Sequence, residues 1–217
     1  MYFILYTAQP DIDMSLWGLV LKGGWLMLPI FLLSLIAIYI ACERFIAIRR
    51  ISVKDSGLIQ EIGTLLRARK REEALARCKD EHTPLGRIIG KGIRYMQEPT
   101  QEIRQLMEDR ANYEVAVLEK GMATLATCAG TAPMIGFLGT VVGMVQAFYD
   151  MAMAGNNIDI GLLSRGIYTA MITTVAGLIV GIIGNLAYNY LVSMIDKEVH
   201  HMEKDMAALL DIIRELN

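Results

Sequence analysis

Ala132-Pro133-Met134-Ile135-Gly136-Phe137-Leu138-Gly139-Thr140-Val141-Val142-Gly143-Met144 is the stretch that decides the fold. It lies inside an apolar run from Gly121 to Phe148 that carries no charged residue. Wound as a helix at about 100° per residue, it puts Ala129, Ala132, Gly136, Gly139, Thr140, Gly143 and Ala147 on one face. Leu125, Met134, Leu138, Val141 and Val145 fall on the opposite face. A long uncharged segment with a stripe of small residues reads as a transmembrane helix whose stripe meets another helix.

A second segment repeats the design. Between Gly166 and Val192 tyrosine is the sole ionisable residue type. Gly166, Ala170, Thr173, Thr174, Gly177, Gly181, Gly184 and Asn185 share one face. Two helices with matching stripes suggest a bundle that packs closely or lines a narrow path. A third apolar block, residues 23–42, matches the roughly 20 residues that cross a bilayer. Pro29, near its start, should kink it rather than end it.

Composition agrees. The chain has 217 residues, a formal net charge of -2 and 54% apolar residues, and these gather into blocks as they do in an integral membrane protein. Basic residues are balanced by acidic ones and no nucleic-acid motif is present, so nucleic acid is not an expected partner. Cys42, Cys78 and Cys128 are far apart and lack metal-ligand spacing, so they read as free thiols. His200-His201 face different ways on a helix, and there is no nucleophile–base set, phosphate loop or zinc signature. Neither catalysis nor a cofactor or metal is expected.

The fold class expected is therefore an all-α integral membrane protein with three transmembrane helices and long cytoplasmic helical extensions. In chain order it has an interfacial segment at 1–22, a first membrane helix at 23–42 and a helical region at 43–118. A second membrane helix at 119–149 and a connection at 150–164 follow. The third membrane helix takes 165–193, and a C-terminal helix takes 194–217. In the first segment Asp13 or Ser15 can cap a helix, and Trp17 and Trp25 straddle Lys22 as an interfacial belt would. In 43–118, Leu58, Ile59, Ile62, Leu65 and Leu66 mark one amphipathic helix. Leu85, Ile88, Ile89, Ile93 and Met96 mark a second, and Ile103, Leu106 and Met107 a third after Pro99-Thr100. That last helix is expected to run unbroken into the second membrane helix through Glu114, Glu119 and Lys120. Gly155-Asn156-Asn157 signals a turn. Met202, Met206, Leu209, Leu210 and Ile213 keep helical spacing to the end.

Arg44, Arg49, Arg50, Lys54, Arg104, Arg110 and Lys120 flank the middle region, and Lys197 and Lys204 follow the third membrane helix. Lys22 and Arg165 stand near helix ends on the other side. The positive-inside rule puts the middle region and the tail in the cytoplasm and the N-terminus outside.

Thr140 and Thr174 are the candidate functional pair. A hydroxyl on the small-residue face of an apolar helix can hold water or orient a carboxyl group; it can equally bond its own helix carbonyl one turn back. Thr173 is a weaker candidate, and Thr127, Thr131 and Thr169 weaker still. Ala132, Gly136, Gly139, Gly143, Ala170, Gly177 and Gly181 read as packing or pore-face residues, with Pro133 setting a kink. Glu114 and Glu119 stand at the cytoplasmic mouth; the solvated reading is favoured over pairing with arginines. Neither small-residue run, 121–148 or 166–192, contains Asp, Glu, Lys, Arg or His, although ion movement through a bilayer usually uses such a group. Either this protein does not conduct, or another chain supplies the group.

Leu118-Glu119-Lys120-Gly121-Met122-Ala123-Thr124-Leu125-Ala126-Thr127, followed by APMIGFLGTVVGM, resembles the second transmembrane helix of the MotA/TolQ/ExbB proton-channel family. GIYTAMITTVAGLIVGI, residues 166–182, resembles its third, and Glu43-Arg44 also fits. The three-helix layout is similar to ExbB and TolQ and unlike the four membrane helices of MotA. The resemblance implies an inner-membrane motor subunit that forms a homopentameric ring around an ExbD/TolR-type single-helix partner supplying an aspartate. It also implies a proton as the ion, and a TonB/TolA-type protein as the recipient of the energy in outer-membrane transport or envelope maintenance. Thr140 and Thr174 match the family's pore-facing threonines. Many ExbB proteins carry a glutamate where this chain has Thr169, which puts a role for that glutamate in doubt here. The alternative is a membrane scaffold that oligomerises and conducts nothing.

Overall fold

The computed structural model describes residues 24–52, 57–153 and 160–216. Among these, seven helices follow one another and no strand occurs. They are α1 (Met27–Ser52), α2 (Leu58–Arg67), α3 (Arg71–Asp80), α4 (Pro84–Arg94), α5 (Thr100–Leu118), α6 (Met122–Met153) and α7 (Ile160–Leu216). The segment at 1–22, Lys54 and the Gly155-Asn156-Asn157 turn lie outside the described residues.

α1, α6 and α7 hold the three spans long and apolar enough to cross a membrane. α1 continues to Ser52, ten residues past the expected block, and ends with Arg49 and Arg50 in its last turn, where cations suit the helix dipole. α7 is a single helix of 57 residues, nearly three times what hydrocarbon requires, so the third span and the tail are one element.

The chain divides into two compact units. One is Met1–Leu35 with Cys128–Ile183; the other is Ile36–Thr127 with Gly184–Asn217. In the first unit the usual burial order is inverted. Met134, Phe137, Leu138, Val145 and Phe148 of α6 are exposed, as are Met171, Val175, Ile182 and Ile183 of α7, while Ala129, Ala132, Ala147 and Ala170 are buried. Large side chains outward and small ones inward is the arrangement that lipid demands. Leu125 departs from the expected bulky outer face: it is fully buried, and it belongs to the second unit.

The second unit has an ordinary aliphatic core. Ile62, Leu85, Ile88, Ile89, Ile93 and Ile103 are almost completely shielded, as are Met107, Leu209 and Ile213. Within this unit α2 packs on α3, α3 on α4 and α4 on α5. Tight turns join them. Arg69 adopts φ 59° between α2 and α3, and His82 adopts φ 52° between α3 and α4. The Thr83 hydroxyl then accepts from the Gly86 amide at 3.1 Å and Pro84 opens α4, a standard start for a helix.

Two expectations are corrected here. α3 was not foreseen, because REEALARCKD has no stripe of large apolar residues and buries just Ala74 and Cys78. Its charges organise it instead: Glu72 and Glu73 at the N-terminus, Arg77 and Lys79 at the C-terminus, and an Arg77–Glu81 pair at 2.5 Å. The helix through Glu119 and Lys120 is not continuous either. α5 ends at Leu118 and α6 starts at Met122, because Gly121 takes φ 84°, a left-handed conformation that stops a helix.

Candidate functional site

The small faces of α6 and α7 meet each other within the first unit. A methyl group built on Gly177 would sit 2.5 Å from the Ala132 carbonyl oxygen. One on Gly136 would sit 2.8 Å from the Thr173 carbonyl oxygen, and one on Gly143 would sit 2.7 Å from the Ala170 Cβ. At Gly139 the added atom would overlap the Thr173 side chain, and at Gly181 the Pro133 ring. Backbone atoms of the facing helix exclude a side chain at Gly136, Gly177 and Gly181, and the stiff side chains of Thr173 and Ala170 exclude one at Gly139 and Gly143. Pro133 adds a reason of its own: it has no N–H for the Ala129 carbonyl one turn back. Gly181 lies against that carbonyl, its absent Cβ 2.9 Å from the oxygen.

This contact also sets the hydroxyls. Thr174 Oγ1 donates to the Gly136 carbonyl at 2.8 Å, across the helix pair. Thr173 is buried; its hydroxyl donates to Ala170 O at 2.7 Å and lies 3.4 Å from Gly136 O. Thr140 Oγ1 donates to Phe137 O of its own helix at 2.6 Å. A carbonyl can only accept, so all three protons are committed and the oxygens keep only acceptor capacity outward. Thr140 and Thr174 are half-buried, so in this arrangement they can receive a hydrogen bond from water or from a protonated carboxyl. Thr169 is also half-buried.

The two glutamates named together in the sequence have different fates. Glu119 is exposed at the α5–α6 break. Glu114 is not solvated as expected: it is 2% exposed and held by two arginines. Arg87 reaches it from α4 through both ends of the guanidinium, Nε to Oε1 at 2.8 Å and Nη2 to Oε2 at 2.5 Å. Arg110, one turn earlier on α5, lies 2.6 Å from Oε1. A buried carboxylate needs such partners, and the fork geometry of arginine supplies two at once. The hydrogen bond to Glu114 holds the Arg87 guanidinium above its usual range. The Arg110–Glu114 spacing of four was a readable signal. Arg87 had none, since it lies 27 residues from Glu114.

The same unit holds a cavity of about 560 Å³ where α3, α4 and α5 meet, floored by Leu75, Cys78 and Gly90. Burial pushes the Cys78 thiol up to about 12, so it is not a nucleophile at neutral pH.

Residues 80–204 match the MotA/TolQ/ExbB proton channel family. The chain belongs to that family. A putative biopolymer transport protein, ExbB-like 1, from Synechocystis sp. is 29% identical over 90% of this chain and 78% of its own length. A putative ExbB homologue from Methanothermobacter thermautotrophicus is 31% identical over 80% of this chain and 62% of its own length. The Tol-Pal system protein TolQ of Haemophilus influenzae is 36% identical over 46% of this chain and 42% of its own. The protein is thus a multi-pass membrane protein of a channel-subunit family, of the proton-channel type used in energy transduction, and not of an enzyme family. The MotA/TolQ/ExbB interval contains the glycine contact, Thr140, Thr174 and the Arg87–Glu114–Arg110 cluster, and excludes α1 and α2.

Proposed function

We propose that the chain is the ring-forming subunit of a proton-driven motor in the cytoplasmic membrane, with 43–118 and the tail in the cytoplasm. One observation carries this reading. The contact between α6 and α7 presents hydroxyl oxygens at Thr140 and Thr174 with acceptor capacity, yet holds no titratable side chain. The proton carrier then comes in trans, as an aspartate on a single-helix ExbD/TolR-type partner inside a ring of five copies. An ionised carboxylate in a bilayer costs several kcal/mol unless it is paired. A protonated one can donate to Thr140 or Thr174. The hydroxyls therefore favour the neutral form while the aspartate turns past successive subunits, taking up its proton from one side of the membrane and releasing it to the other. The energy is passed on through a TonB/TolA-type protein to outer-membrane transport or envelope maintenance.

A non-conducting scaffold is the second reading, favoured by one fact: all three hydroxyl protons already serve helix carbonyls. Replacing both Thr140 and Thr174 by Val separates the two. The motor reading expects a partner complex of unchanged composition that has lost most proton flux in reconstituted vesicles. Flux at the wild-type level in that complex supports the scaffold. Cysteines at Ser56 and Asn157 test orientation; the first should resist and the second accept an impermeant thiol reagent added to spheroplasts.

A further inference from the structure

The cavity between α3, α4 and α5 is lined on its polar side by one sign of charge. Lys79, Arg87, Lys91, Arg94 and Arg110 border it beside the His82 ring, and no carboxylate is among its lining residues. The chain as a whole carries a formal net charge of -2, so this concentration of cations is local. Two carboxylates stand just outside it, both already paired: Glu114, shared by Arg87 and Arg110, and Glu81, held by Arg77. Among the described residues Lys79, Lys91 and Arg94 have no ion-pair partner. Arg71 adds a further guanidinium at the same end of α4, its Nη2 donating to the Arg94 carbonyl at 2.7 Å while its buried Nε has no hydrogen-bond partner.

A solvated basic face explains part of this. Lys79, Lys91 and Arg94 stand in the last turns of α3 and α4, where cations suit the helix dipole. The dipole does not explain why they converge with Arg87 and Arg110 on one concavity. Like charges brought together around low-dielectric walls repel, and they focus a field that draws in an anion. The volume, about 560 Å³, is that of a small-ligand site.

We infer that this cavity binds a phosphate-bearing anion with at least two negative charges, its phosphate oxygens held by Lys79, Lys91 and Arg94. Arginine and lysine donors suit phosphate oxygens. Leu75 and the Cys78–Gly90 wall would meet a compact apolar portion of the ligand. The inference does not depend on the proton-path reading, because none of these residues lies in the α6–α7 contact.

Two sources share this chemistry, a soluble phosphoester and an anionic lipid headgroup. The full chain, in nanodiscs of zwitterionic lipid, is titrated calorimetrically with pyrophosphate and with ADP. In parallel, native mass spectrometry scores phosphatidylglycerol retained from mixed nanodiscs. Lys91→Gln with Arg94→Gln should weaken the binding at least about tenfold, the loss of roughly one strong contact. Lys120→Gln with Lys204→Gln, outside the cavity, should change it less than about twofold. Glu114→Gln should tighten it, because Arg87 and Arg110 are then released; this opposite sign is not expected of a folding defect. Pyrophosphate or ADP binding lost in K91Q/R94Q assigns the soluble source, and lipid retention lost in that variant assigns the headgroup. The inference is overturned if none of the three probes binds wild-type protein, if K91Q/R94Q binds as tightly as wild type, or if the Lys120/Lys204 variant loses as much affinity as the cavity variant.

Discussion

The α6–α7 pair and the α2–α5 helices both bring helices together, with opposite choices of residue. The first uses Gly and Ala and buries backbone against backbone. The second uses Ile and Leu and buries branched side chains, plus one carboxylate held by two arginines. The difference follows from the solvent. In water, apolar burial itself drives helices together, at about 25 cal/mol per Å². In lipid that force is absent between helices, and close van der Waals contact with carbonyl bonding takes its place. A methyl group should therefore be far more harmful in the first region than in the second.

The largest effect is expected at Gly177. Its added Cβ would meet the Ala132 carbonyl oxygen at 2.5 Å and the Gly136 Cα at 3.1 Å. Both are backbone atoms in helices and cannot step aside. Gly177→Ala should cost about 3 kcal/mol, the upper range for overpacking, seen as a lowered thermal transition in detergent. Gly130→Ala is the matched control, since nothing lies within 4 Å of its Cβ position. Equal stability of the two variants would break the comparison.

Glu114 comes next. Glu114→Ala leaves two guanidinium groups without their acceptor. Losing one partner of a fully buried pair costs about 3–5 kcal/mol. Here the Arg87 and Arg110 side chains are 42% and 33% exposed, so water recovers part of the loss. A fall of about 2 kcal/mol is expected by the same measurement. Arg87→Ala should be milder, because Arg110 still holds the carboxylate. A larger loss for Arg87→Ala would show that the fork from α4, and not the pair within α5, governs this site.

How legible these regions were depends on whether their signals are local. The α6–α7 stripe was readable because small residues recur at helical spacing from Ala129 to Ala147 and from Gly166 to Gly184. That spacing does not say whether a stripe meets a pore or a neighbouring helix. In the folded chain Gly136, Gly139, Gly143 and Gly177 face the other helix of the same chain. α4 was readable from its Ile and Leu pattern. α3 was not, because its stability comes from end charges and two small buried residues, Ala74 and Cys78. Gly121 was in plain view as a helix terminator. Apolar residues continuing on its far side mask that signal. The Arg87–Glu114 pair and the basic cavity are products of tertiary folding, with no local pattern to announce them.

Gly92 sharpens the comparison from the other side. Its added Cβ would lie 2.6 Å from Met107 Sδ and 2.9 Å from Leu209 Cδ2. These distances are as short as those at Gly177, yet both atoms are far ends of flexible side chains. Met in particular repacks readily. Gly92→Ala should cost about 1 kcal/mol, part of it regained through better helix propensity. A loss as large as that at Gly177 would mean that the α4 contact is as rigid as the membrane one.

The smallest structural effects belong to the two threonines, and their difference matters for function. Valine keeps the branched shape of threonine and removes the hydroxyl. At position 174 the lost bond crosses to Gly136 of the other helix, and its loss leaves that carbonyl one partner short in a half-buried place. Thr174→Val should therefore lower stability by about 1 kcal/mol. At position 140 the lost bond runs to Phe137 O in the same helix. A bond to the preceding turn adds little, because it competes with the helix's own bonding. Thr140→Val should thus change stability by less than about 0.5 kcal/mol. Thermal unfolding of the two variants side by side, with proton flux measured on the same preparations, tells the roles apart. If Thr140→Val keeps full stability and loses flux, its hydroxyl acts on the moving proton and not on the fold. If Thr174→Val loses flux only in proportion to stability, its role is to hold α7 against α6. If Thr140→Val proves as destabilising as Thr174→Val, Thr140 bears on the fold after all, and its flux could no longer be assigned to the proton.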